Sequence, residues 1–328
     1  MGERTNIVWT DSTHNFWRGC TKVSPGCVNC YAETLVTTRL GGEWGKGKPR
    51  VRSKSFDEPL RWNKKPNVCG CCNEAFSTEA GFTHRHGSII PAFHTRRVFS
   101  LSLGDWLDDE VPIEWLADML DVIRRCPNLI FQLLTKRPEN FTERLTAVMK
   151  HIENSSENHT SRGASLHLWA LDWVVGQKVP SHIWIGASVE NQPEADRRIP
   201  ELLKIPAAVR FLSFEPLLED IDFSRFTPWL PAHPQYNASE CVQWVIVGGE
   251  SGPHARPCNA DWIRSVVSQC KDASVPCFVK QLGAKITVPH PQFGEWDNWH
   301  VKVKDRKGAD PSEWPQDLQV RQFPEGAQ

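Results

Sequence analysis

From residue 97 onward the chain alternates short apolar runs with longer stretches of helical periodicity. Val98-Phe99-Ser100-Leu101-Ser102-Leu103, Leu129-Ile130-Phe131-Gln132-Leu133-Leu134, Ile183-Trp184-Ile185-Gly186, Val209-Arg210-Phe211-Leu212, Trp244-Val245-Ile246-Val247 and Cys277-Phe278-Val279 have the length of buried strands and are bounded by polar residues. Between them, one helix opens after Pro112 and repeats Ile113, Leu116, Leu120 and Ile123 on one face; another, capped by Asn259, repeats Trp262, Ile263, Val266, Val267 and Cys270. With Ile7-Val8-Trp9 as a first strand, the pattern predicts seven βα units and the α/β class, with a parallel sheet buried on both faces. A full or partial (β/α) barrel is the expected architecture. A doubly wound open sheet is the alternative, because strand order is not written in one sequence. Residues 151–168, rich in Asn, Ser and His, read as a flexible excursion or lid, and residues 227–240, with three prolines, as a surface loop.

Polar or glycine-rich residues follow each predicted strand: Gly104-Asp105, Thr135-Lys136-Arg137, Ser188-Val189-Glu190-Asn191, Ser213-Phe214-Glu215-Pro216, Gly248-Gly249-Glu250-Ser251-Gly252 and Lys280-Gln281. Ligands of parallel α/β folds bind at the carboxyl ends of the strands, so these groups are expected to converge on one site.

The densest chemistry precedes them. Between Gly19 and Glu33, Cys20, Cys27 and Cys30 form a C-x6-C-x2-C array, and Ser24-Pro25-Gly26 supplies the turn that folds the spacer back. Three thiolates can hold three irons of a 4Fe-4S cluster and leave the fourth open, whereas a cluster used only for electron transfer takes four. The alternative is a structural zinc site completed by a further ligand such as His14.

The array GCxxxSPGCxxCYAE resembles the cluster loop of the radical S-adenosylmethionine enzymes. More closely, it resembles a family of unassigned function carried by phages and bacteria, a likeness that extends through IFQLLTKRPENF, IWIGASVENQ, VRFLSFEPLL and WVIVGGESGPHARP. The spacing departs from the superfamily's common C-x3-C-x2-C, and the aromatic residue that there precedes the last cysteine is here Tyr31, one place after it. The resemblance implies a barrel in which Cys20, Cys27 and Cys30 ligate a 4Fe-4S cluster, with S-adenosylmethionine chelated by the open iron. An external electron donor would reduce it, giving methionine and a 5′-deoxyadenosyl radical. The cofactor-facing set expected is Tyr31, Ser102, Asp105, Thr135, Lys136, Ser188, Glu190, Glu215, Gly248, Gly249, Glu250 and Lys280. Within it the three glutamates would accept from the ribose or the methionine amine, and Lys136, Arg137 or Lys280 would face the carboxylate. A non-catalytic iron-sulfur or zinc nucleic-acid-binding protein is the competing class.

Composition adds boundaries. The 328 residues carry a net charge of −1, so any case for a polyanionic partner must be local. No apolar leader follows Met1 and no run reaches membrane-spanning length; with eleven cysteines, a reducing cytoplasm and no membrane partner are expected. From Arg39 to Lys65, nine basic side chains stand against three acidic ones, with Trp44, Phe56 and Trp62 interleaved, which reads either as ordinary solvated surface or as a surface for nucleic acid or a phosphorylated small molecule. Residues 66–96 read as an insertion in which Cys69, Cys72, His84 and His86 could form a zinc site, with Cys71 or His94 as substitutes. A barrel domain over 1–285 and an extension over 286–328 complete the layout. That extension, with Lys302, Lys304, Arg306 and Lys307 followed by Trp314 and Pro315, is expected to cover one barrel end or join a partner.

Overall fold

A computed structural model describes residues 3–70, 72–77, 93–229, 241–290, 294–301 and 303–324. Seven strands form one parallel sheet: β1 (Ser12–His14), β2 (Arg97–Ser100), β3 (Ile130–Thr135), β4 (Ile183–Ser188), β5 (Val209–Phe214), β6 (Trp244–Gly248) and β7 (Cys277–Gln281). Their order across the sheet is their order in the chain, so there is no switch point, and the doubly wound alternative is set aside. The sheet curls into a partial barrel. Helices α1 (Tyr31–Arg39) and α2 (Glu58–Trp62) lie between β1 and β2, α3 (Ile113–Arg124) follows β2, and α4 (Phe141–Glu153) and α5 (Ser161–Val174) follow β3. Helix α6 (Gln192–Lys204) joins β4 to β5, and α7 (Ala260–Asp272) joins β6 to β7. Local signals set these helices: the Asn191 side chain accepts from Glu194 N at 3.1 Å before α6, and Asn259 accepts from Asp261 N at 3.0 Å before α7.

Alternation along the strands sorts the side chains. Outward residues such as Val98, Phe131, Ile185, Leu212, Val245 and Val279 pack under the helices in the main core. Inward residues Phe99, Trp184, Phe211, Trp244 and Phe278 pack with Trp9 into an aromatic floor at the amino ends of the strands. Gly186 makes room there: a Cβ on it would lie 2.4 Å from the Phe211 ring. Further along the same inward positions stand Thr13, Ser188, Ser213 and Lys280, so the barrel is filled below and polar above.

Several boundaries differ from the sequence reading. The first strand is Ser12–His14, not Ile7-Val8-Trp9; Trp9 belongs to the floor, and the polar strand is buried because Ser12 donates to the Glu3 carbonyl and His14 Nε2 pairs with the Phe56 carbonyl. Residues 151–168 are not a lid but the end of α4, a 3-10 turn and the start of α5. Thr160 caps α5 by accepting from Gly163 N, and Arg162 binds Asp118, Asp121 and Glu157, which fixes a segment whose polarity reads as loop. Residues 230–240 of the expected surface loop lie outside the described residues.

The insertion holds a three-stranded antiparallel sheet of Asn67–Cys69, Ala75–Phe76 and Phe93–Thr95. The extension forms a hairpin of Ile286–His290 and Gly294–Val301, then returns along β7. There Val279 N donates to the Val320 carbonyl, Phe323 packs on Trp244 and Phe278, and the Arg97 guanidinium lies 4.1 Å from the Phe323 ring. The tail therefore runs from the edge of β7 across to β2 and does cover one end of the barrel.

Candidate functional site

A cavity of about 1240 Å³ opens above the carboxyl ends of the strands, and Cys20, Cys27 and Cys30 all line it. The cysteine loop is held across the strand ends by bonds to residues that follow different strands. Gly19 N donates to Leu103 O, and Tyr31 Oη donates to Ser102 O at 2.8 Å, both after β2. Arg137, after β3, donates through Nη2 to Thr21 O at 2.8 Å and through Nη1 to Cys20 Sγ at 3.6 Å. Gly26 N donates to Glu190 Oε1 at 3.0 Å after β4, and Asn29 Nδ2 donates to Glu250 Oε2 at 3.1 Å after β6. Residues more than two hundred positions apart thus hold the loop whose three thiols line the cavity.

The thiols stand in distinct surroundings. Burial pushes the Cys20 thiol up to about 12, with Asp105 adding to it and Arg137 opposing it. Cys30 is also pushed up by burial, but it precedes α1 directly, and the amides of Glu33 and Ala32 favour its thiolate. Cys27 lies 3.7 Å from Ser24 Oγ.

The carboxylates expected to face a cofactor divide into supports and lining groups. Glu190 is fully buried and does not line the cavity; besides Gly26 N it receives Arg198 Nη1 at 2.8 Å. Burial works to raise its pKa, yet Lys136, Arg198, Ser24 and Gly26 outweigh this and hold it below the ordinary carboxylate range. Asp105 lines the cavity but is occupied as a brace, accepting from Leu107 N, Lys136 N, Thr135 Oγ1 and Arg137 Nη1 at 2.7–3.0 Å. Glu250 lines it too and is bound by Arg256 as well as Asn29; these outweigh burial and lower its pKa. Glu215 pairs with Lys280 at 2.9 Å on the cavity wall. Lys136 lines the cavity without an ion pair among the described residues.

Of the sequence-predicted set, Tyr31, Ser102, Asp105, Thr135, Lys136, Ser188, Glu215, Gly249, Glu250 and Lys280 line this cavity, whereas Glu190 and Gly248 lie behind it. Gly249 has a packing reason to be glycine, since a Cβ there would lie 2.3 Å from the Leu282 carbonyl oxygen. His14 is turned away, edge-on to Phe16 and Trp62, and burial pushes its pKa down to about 4. It does not supply a fourth ligand to the cysteines.

Among the described residues no three His, Cys, Asp or Glu side chains gather about one point as a single metal ion needs. A 4Fe-4S cluster makes a different demand, with each cysteine on its own iron, and the donors for it would be Cys20, Cys27 and Cys30, which all line the one cavity.

Two other expected sites fare differently. Cys69 is buried in the insertion and Cys72 half-buried, while His84, His86 and Cys71 lie outside the described residues. His94 Nε2 bonds Asp11 Oδ1 at 2.9 Å. Four of the nine basic side chains from Arg39 to Lys65 are held in ion pairs. The Arg50 side chain is 1 % exposed and bonds Asp108, Arg52 pairs with Asp118, Lys48 with Glu43 and Arg61 with Glu58. Phe56 and Trp62 are in the core, and only Trp44 of the three aromatics reaches the cavity.

Sequence reasoning passed over Asn29 and Arg256, and also Asn15 and Arg4, which line the cavity, Asn15 Oδ1 accepting from Leu103 N at 2.7 Å. Asn15 and Asn29 are the ones with a local signal, each beside the cysteine array or the strand that leads to it. No helix among the described residues is long and apolar enough to cross a membrane. No curated protein and no solved structure matches the chain. Residues 4–313 match the family model described as Protein of unknown function (DUF5131), and the chain belongs to that family.

Proposed function

We propose that the protein is a radical S-adenosylmethionine enzyme built on a partial (β/α) barrel. The observation that carries this reading is the gathering of Cys20, Cys27 and Cys30 on one cavity at the carboxyl ends of the strands. Those cysteines would hold a 4Fe-4S cluster. When bound, the cluster and S-adenosylmethionine supply one-electron cleavage of the sulfonium, yielding a 5′-deoxyadenosyl radical that takes hydrogen from a substrate.

This chain's own residues position and shield. Arg137 donates to Cys20 and keeps positive charge beside a site whose thiolates carry negative charge. Asp105 holds that guanidinium in place and is itself saturated, so it acts as a positioning residue. Lys136 offers a cation to the carboxylate of an amino acid moiety, and the Glu215–Lys280 pair offers both an acceptor and a donor. Leu35, Trp44 and Leu103 give the cavity an apolar wall beside Cys30, suited to a flat purine. The filled aromatic floor closes the barrel from below and keeps water from entering there.

Anaerobic reconstitution tests the reading first at the metal. The wild type should become brown and hold about four irons at this site, and Cys27→Ala should not. Tight zinc at these cysteines with no uptake of iron would favour the nucleic-acid-binding alternative.

A further inference from the structure

Four of the nine basic side chains between residues 39 and 65 are held in ion pairs, and a second set of cations, at the cavity, is held in none among the described residues. Lys304, Arg306 and Lys307 from the C-terminal extension, and Arg4 from the N-terminal segment, line the mouth of the cavity and are exposed. None of the four forms an ion pair among the described residues. Of the other lysines and arginines of the cavity, Lys136 also lacks an ion pair among the described residues, whereas Lys22 pairs with Glu33 at 2.6 Å, Lys280 with Glu215 at 2.9 Å and Arg137 with Asp105 at 3.0 Å.

The nearby acids bond the backbone and form no ion pair with these cations, although the charge of Asp305, which also lines the cavity, is felt by Lys307. Asp305 Oδ1 accepts from Lys307 N at 2.9 Å and Ala309 N at 2.8 Å, and Glu313 Oε2 accepts from Lys304 N at 2.8 Å and Asp305 N at 3.2 Å. The same bonds make the segment a shaped loop and not a loose tail. It is docked beside the end of β7, where Gly308 O accepts from Leu282 N at 2.9 Å and from Trp314 Nε1 at 3.0 Å. Three cations are therefore presented from a fixed backbone, and Arg4 adds a fourth to the lining of the same concave cavity, a shape that focuses the field of its charges.

Size points the same way. A cavity of about 1240 Å³ exceeds the roughly 300–1,000 Å³ that holds one drug-sized ligand, so it has room for a second molecule beside a cofactor.

We infer that Lys304, Arg306 and Lys307, with Arg4, form a phosphate-binding lip, and that the substrate admitted to the cysteine-lined cavity is a phosphate ester. The lip's role as a substrate gate rests on the radical-enzyme reading, but its affinity for phosphate does not. Recognition is by charge and hydrogen bonding from lysine and arginine, which suits a nucleotide presented singly or within a strand.

Equilibrium binding by the full chain, without S-adenosylmethionine or reductant, tests this. The probes are a nucleoside 5′-triphosphate, a single-stranded DNA oligonucleotide and the unphosphorylated nucleoside, each over a range of salt. Lys304→Ala/Arg306→Ala/Lys307→Ala should weaken the preferred phosphorylated probe at least about tenfold. For a bound strand it should also reduce the slope of log affinity against log salt by about 2. These side chains are exposed and unpaired, so their truncation leaves the fold intact. Lys64→Ala/Lys65→Ala, exposed and away from the cavity, should bind as the wild type does. Preference for the triphosphate identifies a small substrate, and preference for the oligonucleotide a polymeric one. The inference is overturned if the wild type binds neither phosphorylated probe at low salt, or if the triple variant binds both with unaltered affinity and slope. Cofactor cleavage is measured separately, so a chain that binds phosphate through the lip but never cleaves S-adenosylmethionine would remove the enzyme reading alone.

Discussion

Replacing Glu190 by Ala removes a carboxylate that is 0 % exposed and has both oxygens engaged, one by Gly26 N at 3.0 Å and the other by Arg198 Nη1 at 2.8 Å. Arg198 is equally buried and keeps only Glu194, at 3.0 Å, and the Ser188 carbonyl. Breaking one side of a buried pair costs about 3–5 kcal/mol, and the surviving Glu194 places the expected loss near the lower end, about 3 kcal/mol. With about 2.1 cal/mol/K of unfolding entropy per residue over 328 residues, that is a fall of about 4 °C in Tm. Differential scanning fluorimetry or circular dichroism reads it. Glu190→Gln should fall between the two, since its amide oxygen can still accept from Gly26 while the charge facing Arg198 is lost. The pH dependence gives a second readout. The folded-state pKa lies below the ordinary 4.5, so the stabilisation is complete above about that pH and is lost as pH falls through the folded value. The gap between wild type and Glu190→Ala should therefore narrow on acidification. A change in Tm under about 1 °C, or a gap that is the same at pH 4 and pH 7, would refute the anchoring role.

Other outcomes follow from the same geometry. Arg50→Ala should lower stability by about 3–5 kcal/mol in thermal unfolding, because Arg50 is buried against Asp108; Lys54→Ala, exposed in the same run, should change it by under about 0.5 kcal/mol. Equal effects would mean that Arg50 is not a structural residue. Gly186→Ala should cost about 1–3 kcal/mol by displacing the Phe211 ring, and Phe211→Leu in the same chain should recover part of the loss; no recovery would place the strain elsewhere. If the insertion binds zinc, metal analysis of the wild type should find about one zinc that survives loss of the iron cluster and disappears in Cys69→Ala/Cys72→Ala. Unchanged zinc in that variant excludes the site.

The parts of the fold legible in the sequence were those governed by hydrophobic period. Strands β3 to β7 and helices α3 and α7 appear within a few residues of where apolar runs and the Asn259 cap put them. The first strand was hidden because its three residues are polar and buried, satisfied by partners at Glu3 and Phe56 that no local pattern reveals. Helix α5 was hidden for a related reason, since Arg162 is bound to carboxylates more than forty positions away. At the site, the residue types that follow each strand were legible, but not which of them face inward. Glu190 and Glu215 follow successive strands and look alike in sequence. One is held behind the cavity by Arg198, and the other lies on its wall beside Lys280. Which members of the basic run are paired was not legible, because charge density says nothing of pairing: Arg50 and Arg52 have acidic partners from the segment 108–118, distant in sequence.

The central claim is that Cys20, Cys27 and Cys30 serve a cofactor that is cleaved by one electron. Anaerobically reconstituted protein should therefore be incubated with dithionite and S-adenosylmethionine, with and without a phosphate-bearing candidate substrate, and the products separated by chromatography. Formation of 5′-deoxyadenosine by the wild type and its absence with Cys30→Ala is the predicted result. S-adenosylhomocysteine as the sole product, or no cleavage by a protein that carries its full complement of iron, would contradict it.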